Sequence, residues 1–353
     1  MAVYLVWCVL SAFAAPDQAL AWDNTEAAAK IVIPILIGLS LIDSAAQLRQ
    51  LAWVIVLSQG YLALEFNTSY YQGFDRLAAV GFAGMDEKTV AASMAVDAAL
   101  ALFLGLHEKR PAFKVIAFVL AALMLHVPMF ALSRGGMLAL LVTGTLVVWF
   151  VPKRPVHIMV VACVIALGFG LAGPDVQQAF STIFASEGDR DWSAESRLVL
   201  WGQAWETMLQ RPILGIGPRH WQLWSQSVYD WQAPKEVHNT WFQAGAELGF
   251  PGVIALASFF LFTIVRLIPL ARGRIADAQP YENNIARMVV CALVAFLIAS
   301  QFITLYGVET PFYAALLGLG VLKLRSEKSR SEKAETTERI RDEATTFSGT
   351  GPR

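Results

Sequence analysis

The stretch VHNTWFQAGAELGFPG, Val237 to Gly252, places a histidine and a short run of helix-forming residues directly before a long apolar segment. Gly249 has the character of a residue that ends a helix, and Pro251 is typical of a helix stop. The apolar segment from Pro251 to Leu270 is long enough to cross a bilayer, which takes about 20 mostly apolar residues. The stretch therefore predicts a short capped helix that leads into a membrane span.

The composition of the whole chain is that of a membrane protein. Of its 353 residues, 56% are hydrophobic and 16% are charged, and the mean hydropathy is +0.52, unlike a soluble domain. A net charge of −1 gives no basic field, which argues against a nucleic-acid partner. Cys8, Cys163 and Cys291 lie inside apolar runs, so neither a disulfide framework nor a metal site is predicted.

Ten runs are apolar enough to be candidate spans. They are Val3 to Ala15, Ile31 to Ala46, Leu51 to Phe66, Val90 to Leu106, Val115 to Leu132, Met137 to Val151, Val156 to Ala172, Pro251 to Leu270, Ile285 to Tyr306 and Pro311 to Leu324. The sequence thus predicts an all-α, polytopic transmembrane helical protein with about ten spans and a long helical periplasmic loop.

Lys and Arg concentrate in alternate connections between these runs, which is typical of cytoplasmic loops. The basic connections hold Arg49, Lys109 to Lys114, Lys153 and Arg154, Arg272 to Arg274, and the tail from Lys323. The predicted organisation is N-terminal transmembrane helices in 1–172, a periplasmic catalytic loop in 173–250, C-terminal transmembrane helices in 251–324 and a disordered cytoplasmic tail in 325–353.

The segment LSRGGM places Arg134 between two apolar runs on the outer side, where cations are uncommon. An arginine at mid-depth in a bilayer costs about 2.5 to 3.5 kcal/mol and usually marks a functional site. Gly135 and Gly136 follow in a tight turn, where their backbone amides can face a phosphate oxygen. The segment favours an anion site, and the alternative is an interfacial anchor that reaches lipid phosphate.

A second arginine lies in SAESRLVLWGQAWETMLQRP, which predicts an amphipathic helix from an N-cap at Ser193 to a stop at Pro212. Arg197 is central on its apolar face. That face holds Leu198, Leu200, Trp201, Ala204, Trp205 and Met208. Such a helix rests at the membrane surface, where the arginine needs an anion. A lipid-linked phosphate is the functional candidate; an ion pair with a loop carboxylate or a frayed first turn are the alternatives.

The segment RPILGIGPRHW is predicted to be a turn, because no strand precedes it and GxGxxG is absent. Its Arg211, Arg219 and His220 are secondary candidates for contact with phosphate or sugar. His238 is the candidate general base: the dipole at a helix start disfavours the imidazolium, and a base near pH 7 must be neutral. By itself, however, a loop histidine is more often a solvated polar group.

Three further polar residues, inside or beside the apolar runs, are also candidates for a functional role. Asp97 can belong to a proton pathway, or it can be neutral or paired with a cation. His126 and His157 are placed toward the cytoplasmic side, away from the arginines. Their isolation argues against a metal site, so all three rank below the outer residues.

Taken in order, the motifs resemble the O-antigen ligase and polymerase superfamily. They are SRGG after a span, an outer loop with ESRL and RPILGIG, and HN followed by nine residues and GFPG. His238, Asn239, Gly249 and Gly252 complete the pattern H-N-x9-G-x-x-G. The resemblance implies an inverting glycosyltransferase of the bacterial inner membrane that takes a glycan from undecaprenyl diphosphate at the periplasmic face, without a cofactor, metal or nucleotide sugar.

By the same resemblance, Arg134 and Arg197 hold the diphosphate and His238 activates the acceptor hydroxyl. Asn239 and Trp201 are further predicted substrate contacts. In the ligases the acceptor is a sugar of lipid A-core, in lipopolysaccharide biosynthesis. An O-antigen or exopolysaccharide polymerase or a protein O-oligosaccharyltransferase is the alternative within the family, and a transporter of anions or lipid-linked sugars is the alternative outside it. A transporter is expected to show repeats and charges midway along broken helices, and the sequence shows neither.

Overall fold

The computed structural model describes residues 1–150, 192–304 and 308–348, together with 155–156, 158–159, 162–163 and 166. The regular secondary structure of these residues is α-helical, and their only β-type pairing is an isolated bridge between Phe82 and Met85. The helices are α1 (Ala2–Phe13), α2 (Gln18–Leu41), α3 (Ala45–Tyr71), α4 (Arg76–Val80), α5 (Glu87–His107), α6 (Pro111–Phe130), α7 (Arg134–Phe150), α8 (Trp192–Gln210), α9 (Trp221–Tyr229), α10 (Thr240–Ala271), α11 (Pro280–Ala299) and α12 (Thr310–Ser348).

The all-α prediction is confirmed for the described residues, whereas the number of spans is not. Within the part of the chain that the structure describes, five helices are long and apolar enough to cross a membrane, namely α2, α5, α6, α10 and α11. Helix α1 and the Gly135–Phe150 part of α7 are apolar but shorter. Most of the predicted span from Val156 to Ala172 lies outside the described residues. The ten-span layout and the periplasmic side of the outer loop stay predictions.

Helix α5 forms the centre of the bundle. Every residue from Thr89 to Leu106 is buried, because the helix is apolar all round and has no face for solvent or lipid. Helices α3, α6, α7 and α11 pack around it. Its many alanines let neighbouring backbones approach closely, which favours helix association in a membrane.

Contacts between distant residues bring basic side chains to one end of the bundle. Arg49 in α3 pairs with Glu108, just past α5, at 2.6 Å. Lys323 in α12 donates to the carbonyls of Ser40 and Ile42 at 2.8 Å each, at the C-terminal end of α2. We call this end, which carries Arg49, Glu108 and Lys323, the basic end; α7 and α10 start at the opposite end, which we call the outer end.

The tail differs from the prediction of disorder. Helix α12 continues as far as Ser348, through most of the segment that the sequence assigns to a disordered tail. Lys323 and Lys328 lie 3.8 Å from the carboxylates of Glu327 and Glu332, one helical turn further on. Such pairs at i and i+4 support a helix that has little apolar face to bury.

Candidate functional site

His238 lies just outside α10, and not in its first turn as predicted. Asn239 is the N-cap, and its Oδ1 accepts from the amides of Trp241 at 3.0 Å and Phe242 at 3.2 Å. The histidine precedes this cap with φ of 51°, in the left-handed region that residues with a side chain rarely adopt. The helix dipole acts most strongly within the first turn, so the protonation state of His238 depends mainly on other surroundings.

The backbone on both sides of this histidine is held in place. The Val237 amide donates to Gln243 Oε1 at 3.4 Å, and the Val237 carbonyl accepts from the Trp201 indole at 3.0 Å. On the other side, Asn239 Nδ2 donates to the carbonyl and side-chain oxygens of Gln301 at 3.3 and 3.4 Å. A strained conformation persists when its neighbours determine it in this way, so the backbone that carries the imidazole is fixed.

Burial lowers the pKa of His238 below the ordinary value of a histidine, and the positive charge of Arg197 lowers it further. Asp86 and Glu236 act in the opposite direction but do not outweigh these effects, and Lys235 adds to the lowering. The neutral imidazole is therefore the favoured form at neutral pH, as a general base requires. The same charges show that Arg197 and the start of α5 lie near the histidine.

Arg197 lies in α8, a helix of the outer loop. The helix starts at Trp192, one residue before the predicted N-cap, and ends at Gln210, close to the predicted stop. Its buried side chains include Leu200, Ala204, Thr207 and Met208. Arg197 lies one turn before Leu200 on the same face and is half-buried. The placement of Arg197 on the buried face agrees with the prediction.

The apolar face of α8 is narrower than predicted. Leu198 is 54% exposed and Trp205 is 45% exposed, although the sequence places both on the buried face. Met208 packs so tightly against Gly245 of α10 that a Cβ at Gly245 would lie 2.2 Å from its sulfur. Gly245 thus gives α8 the space to approach α10 closely.

Arg134 is the first residue of α7. The sequence predicts a tight turn from Ser133 to Gly136, but the turn comes earlier, with Leu132 at φ 48°. Ser133 Oγ accepts from the Gly136 amide at 3.2 Å, so this amide is not available to an anion as predicted. Arg134 and Gly135 occupy the N-terminal turn, the end of a helix that favours negative charge.

The start of α7 lies beside the segment that carries His238. A Cβ at Gly135 would lie 2.8 Å from the Cβ of Phe302, so the α7 backbone touches this side chain directly. Phe302 follows Gln301, the hydrogen-bond partner of Asn239. The outer end of the bundle thus holds the N-terminal turn of α7 and the segment with His238, whose pKa is lowered by burial and by the Arg197 charge.

The segment Arg211 to Trp221 is a loop, as predicted, and it packs along α10. The amides of Ile216 and Gly217 donate to the carbonyls of Ala246 and Glu247 at 3.0 Å each. Gly215 and Gly217 have φ of 67° and 106°, a conformation that suits glycine. The loop also accepts from the N-terminal helix, since the Trp7 indole donates to the Ile213 carbonyl at 3.1 Å.

Glu247 is a residue whose importance sequence reasoning missed. Its carboxylate is 3% exposed, and it accepts from the amides of Arg219 at 2.9 Å and Trp221 at 3.3 Å. Gln243 Nε2 also donates to it, at 3.1 Å, and Gln243 in turn binds the residue before His238. The signal that the sequence offers is a single carboxylate in an otherwise apolar stretch.

The secondary candidates differ in what they offer a ligand. Arg211 is exposed, with its guanidinium over the ring of Trp224 at 5.6 Å. Arg219 lines a cavity of about 350 Å³, next to Gln243 and Glu247. The indole N–H of Trp201 is not available to a substrate, because it donates to the Val237 carbonyl. The cavity and the exposed guanidinium suit polar parts of a substrate.

His220 uses both ring nitrogens within the protein. Nδ1 lies 2.9 Å from the Pro218 carbonyl, which can only accept, so Nδ1 carries the proton. Nε2 accepts from the Asp17 amide at 3.0 Å. This side chain therefore joins the loop to the turn before α2, and neither nitrogen is left for a substrate.

The intramembrane candidates have local partners. Asp97 is fully buried, with the Ser93 hydroxyl at 3.5 Å. His126 lies four residues before α6 ends, and its Nδ1 is 2.6 Å from Asn67 Oδ1. The sequence placed it on the side of the basic connections, whereas the structure places it at the opposite end of the bundle. His157 lies outside the described residues. Within the described ranges, no three His, Cys, Asp or Glu side chains gather as metal ligands would.

Residues 119–257 match a family model described as O-antigen ligase, and no curated protein matches the chain. The matched segment begins in α6 and ends in α10. It includes Arg134, Arg197 and His238, together with the loop that packs along α10. The match and the order of the motifs agree. Residues 119–257, the segment that carries the candidate site, are thus similar to the O-antigen ligase family.

Proposed function

We propose that the chain is an O-antigen ligase-type inverting glycosyltransferase. It moves a glycan from undecaprenyl diphosphate to a hydroxyl of lipid A-core, at the periplasmic face of the bacterial inner membrane. The observation that carries the proposal is His238, held by its neighbours in a left-handed conformation beside Arg197. The family match supports a lipid-linked glycan as the class of substrate.

In the proposed reaction, His238 takes the proton of the acceptor hydroxyl while its oxygen attacks the anomeric carbon from the side opposite the diphosphate. One carbon–oxygen bond forms as the bond to the diphosphate oxygen breaks, so the configuration inverts without a covalent enzyme intermediate. The leaving diphosphate gains negative charge, which the guanidinium groups of Arg134 and Arg197 stabilise. His238 then gives its proton to the diphosphate or to water.

The electrostatics of His238 support this order of events. Burial and the Arg197 charge lower its pKa when no donor is bound, so the imidazole is ready to accept a proton. A diphosphate held by Arg197 brings negative charge to the same place, and negative charge near a histidine raises its pKa. The base therefore becomes stronger when the donor is in position.

The remaining predicted residues take positioning or peripheral roles in this proposal. Asn239 and Trp201 fix the backbone around the base. Arg219 contributes to the cavity beside the site, where it contacts sugar or phosphate. Arg211 contacts the substrate at the exposed edge of the loop. His220 holds that loop against the turn between α1 and α2.

The test is a transfer assay with the full chain purified in detergent, without added metal. The donor is an undecaprenyl-diphosphate-linked glycan, and the acceptors are lipid A-core, a second donor molecule and a serine-containing peptide. We expect a glycosylated lipid A-core with the wild type and none with His238→Asn. Asparagine suits this variant because it tolerates φ near 51° better than most residues, so the fold is retained while the base is lost.

Asp230→Asn is the matched control, because Asp230 is exposed and has φ of 56°; it should transfer at the wild-type rate. Full transfer by His238→Asn would show that His238 is not the base. Elongation of the donor glycan would make the chain a polymerase, and a glycosylated peptide would make it a protein O-oligosaccharyltransferase. In a second assay with the chain in liposomes, movement of the donor across the bilayer without bond formation would identify a transporter.

A further inference from the structure

Gln243, one turn into α10, joins three segments of the outer end through its side-chain amide. The residue is 3% exposed. Its Oε1 accepts from the Thr304 hydroxyl at 3.0 Å and from the Val237 amide at 3.4 Å, and its Nε2 donates to Glu247 Oε1 at 3.1 Å. The Val237 amide can only donate and the carboxylate accepts, so the orientation of the Gln243 amide is fixed.

Two of the three partners belong to segments that are themselves held against α10. In the connection between α11 and α12, the carbonyls of Ser300 and Ile303 accept from the amide and the hydroxyl of Thr240 at 2.9 Å each. On the other side, Glu247 holds the loop that carries Arg219. Gln243 is thus anchored on two sides, and its remaining hydrogen bond is to the residue before His238.

That remaining hydrogen bond matters for the conformation of His238. Val237 is fully buried, so water cannot replace Gln243 as the acceptor for its amide, and a buried donor without a partner is costly. If Gln243 could not accept, the peptide between Glu236 and Val237 would turn toward another acceptor. His238 would then leave its strained φ of 51°, because such a conformation persists only while its neighbours determine it.

We propose that Gln243 is a positioning residue, which holds the His238 imidazole where it can take the proton of the acceptor hydroxyl. The inference rests on the proposed function, in which His238 is the base. Gln243 acts through the Val237 backbone and does not contact the reacting atoms. A displacement of a catalytic group by about 1 Å can lower the rate by about 100-fold, so a single hydrogen bond to the backbone has a large effect on the reaction.

The first test is Gln243→Met in the transfer assay, with the full chain in detergent. Methionine has nearly the length and volume of glutamine but cannot accept from the Val237 amide. We expect kcat to fall about 10- to 100-fold, whereas KM for the donor stays the same because Arg134 and Arg197 are unchanged. Gln210→Met is the matched control, since Gln210 is exposed on α8; it should have the kcat of the wild type.

The second test does not depend on turnover. It follows the titration of His238 by NMR of the full chain labelled with ring-13C histidine, in which His238→Asn identifies the signal by its loss. Burial and the charge of Arg197 lower the pKa of His238 in the wild type. In Gln243→Met the imidazole leaves this position, so the midpoint of its titration should rise toward the ordinary value of a histidine.

The charged groups around His238 are the same in these variants. They are Arg197 from α8, Asp86 before α5, and Lys235 and Glu236 on its own segment. A change in the midpoint would therefore report a movement of the imidazole and not a new charge. Gln210→Met should titrate as the wild type does.

Wild-type kcat together with a wild-type midpoint in Gln243→Met would overturn the proposal. A raised KM for the donor with kcat unchanged would do so too, because it would make Gln243 a binding residue. If the wild type transfers no glycan, the proposed function fails, and the titration still decides whether Gln243 positions His238. If Gln243→Met does not fold, Thr304→Val decides: losing one neutral hydrogen bond to Oε1 should lower kcat about two- to tenfold and raise the midpoint, and wild-type values of both would overturn the proposal.

Discussion

The buried carboxylate of Glu247 gives a sharp prediction about the outer loop. Its Oε2 accepts from the Arg219 amide, and its Oε1 accepts from the Trp221 amide and from Gln243. In Glu247→Gln, one oxygen becomes an NH2 group. The least costly orientation keeps Oε1 in place and turns the NH2 group toward the Arg219 amide, so two donors face each other and that hydrogen bond is lost.

A hydrogen bond to a charged acceptor contributes about 1.5 to 3 kcal/mol. The loop amides should therefore open more often by about 10- to 150-fold, because 1.4 kcal/mol corresponds to a factor of ten. The measurement is hydrogen–deuterium exchange of the detergent-solubilised full chain, followed in a peptide that covers Gly217 to Gln222. Exchange of peptides from α5, which is buried throughout, should stay the same.

Glu206→Gln is the control for this prediction, because Glu206 lies exposed on α8 in the same outer loop and makes the same chemical change. It should leave exchange of the Gly217 to Gln222 peptide as in the wild type. If Glu247→Gln changed that exchange by less than about threefold, well below the energy of one such hydrogen bond, Glu247 would not hold the loop on α10. Equal effects of the two variants would refute the argument as well.

Three further predictions follow from the same geometry. The transfer rate of the wild type should fall as the pH drops through the lowered pKa of His238. Arg197→Gln removes a charge that lowers this pKa, so the acid limb of this variant's rate–pH profile should lie at higher pH than that of the wild type. Gly249→Ala should lower the midpoint of thermal unfolding, because a backbone with φ of 69° and ψ of −177° costs other residues about 1 to 3 kcal/mol. Gly202→Ala should leave the midpoint unchanged, because the space around Gly202 is open. Trp201→Phe loses the indole hydrogen bond that fixes the backbone before the base, so kcat should fall while KM for the donor is unchanged.

Local patterns in the sequence predicted much of the fold. Apolar runs placed α5, α6 and α10 close to their observed positions, because burial or lipid contact selects such runs directly. The glycine and proline after Leu248 predicted the interruption of α10, and Gly249 indeed has φ of 69°. The tail was less predictable: its composition resembles that of disordered segments, whereas its charges are spaced to support a helix.

For the candidate site, the sequence suggests which residues to consider but not the conformation that they adopt. Motifs alone pointed to Arg134, Arg197 and His238. The left-handed backbone of His238 depends on Trp201 and on Gln301, which lie far away in the sequence. The role of Glu247 likewise depends on the loop between α8 and α9, which packs along α10. The spacing of residues along one helix does not reveal hydrogen bonds to segments that are distant in the sequence.

The packing of α8 changes the physical picture of the arginine in the outer loop. The sequence predicts an amphipathic helix resting on the membrane surface, where lipid would set the position of Arg197. In the structure, α8 packs against α10, and the Met208 side chain contacts Gly245. The loop that follows is bound to α1 through Trp7. The guanidinium is thus attached to a protein framework that also fixes His238. In a reaction that develops charge on a leaving diphosphate, such fixed charges need little reorganisation as the bond breaks, and this is where electrostatic catalysis is most effective.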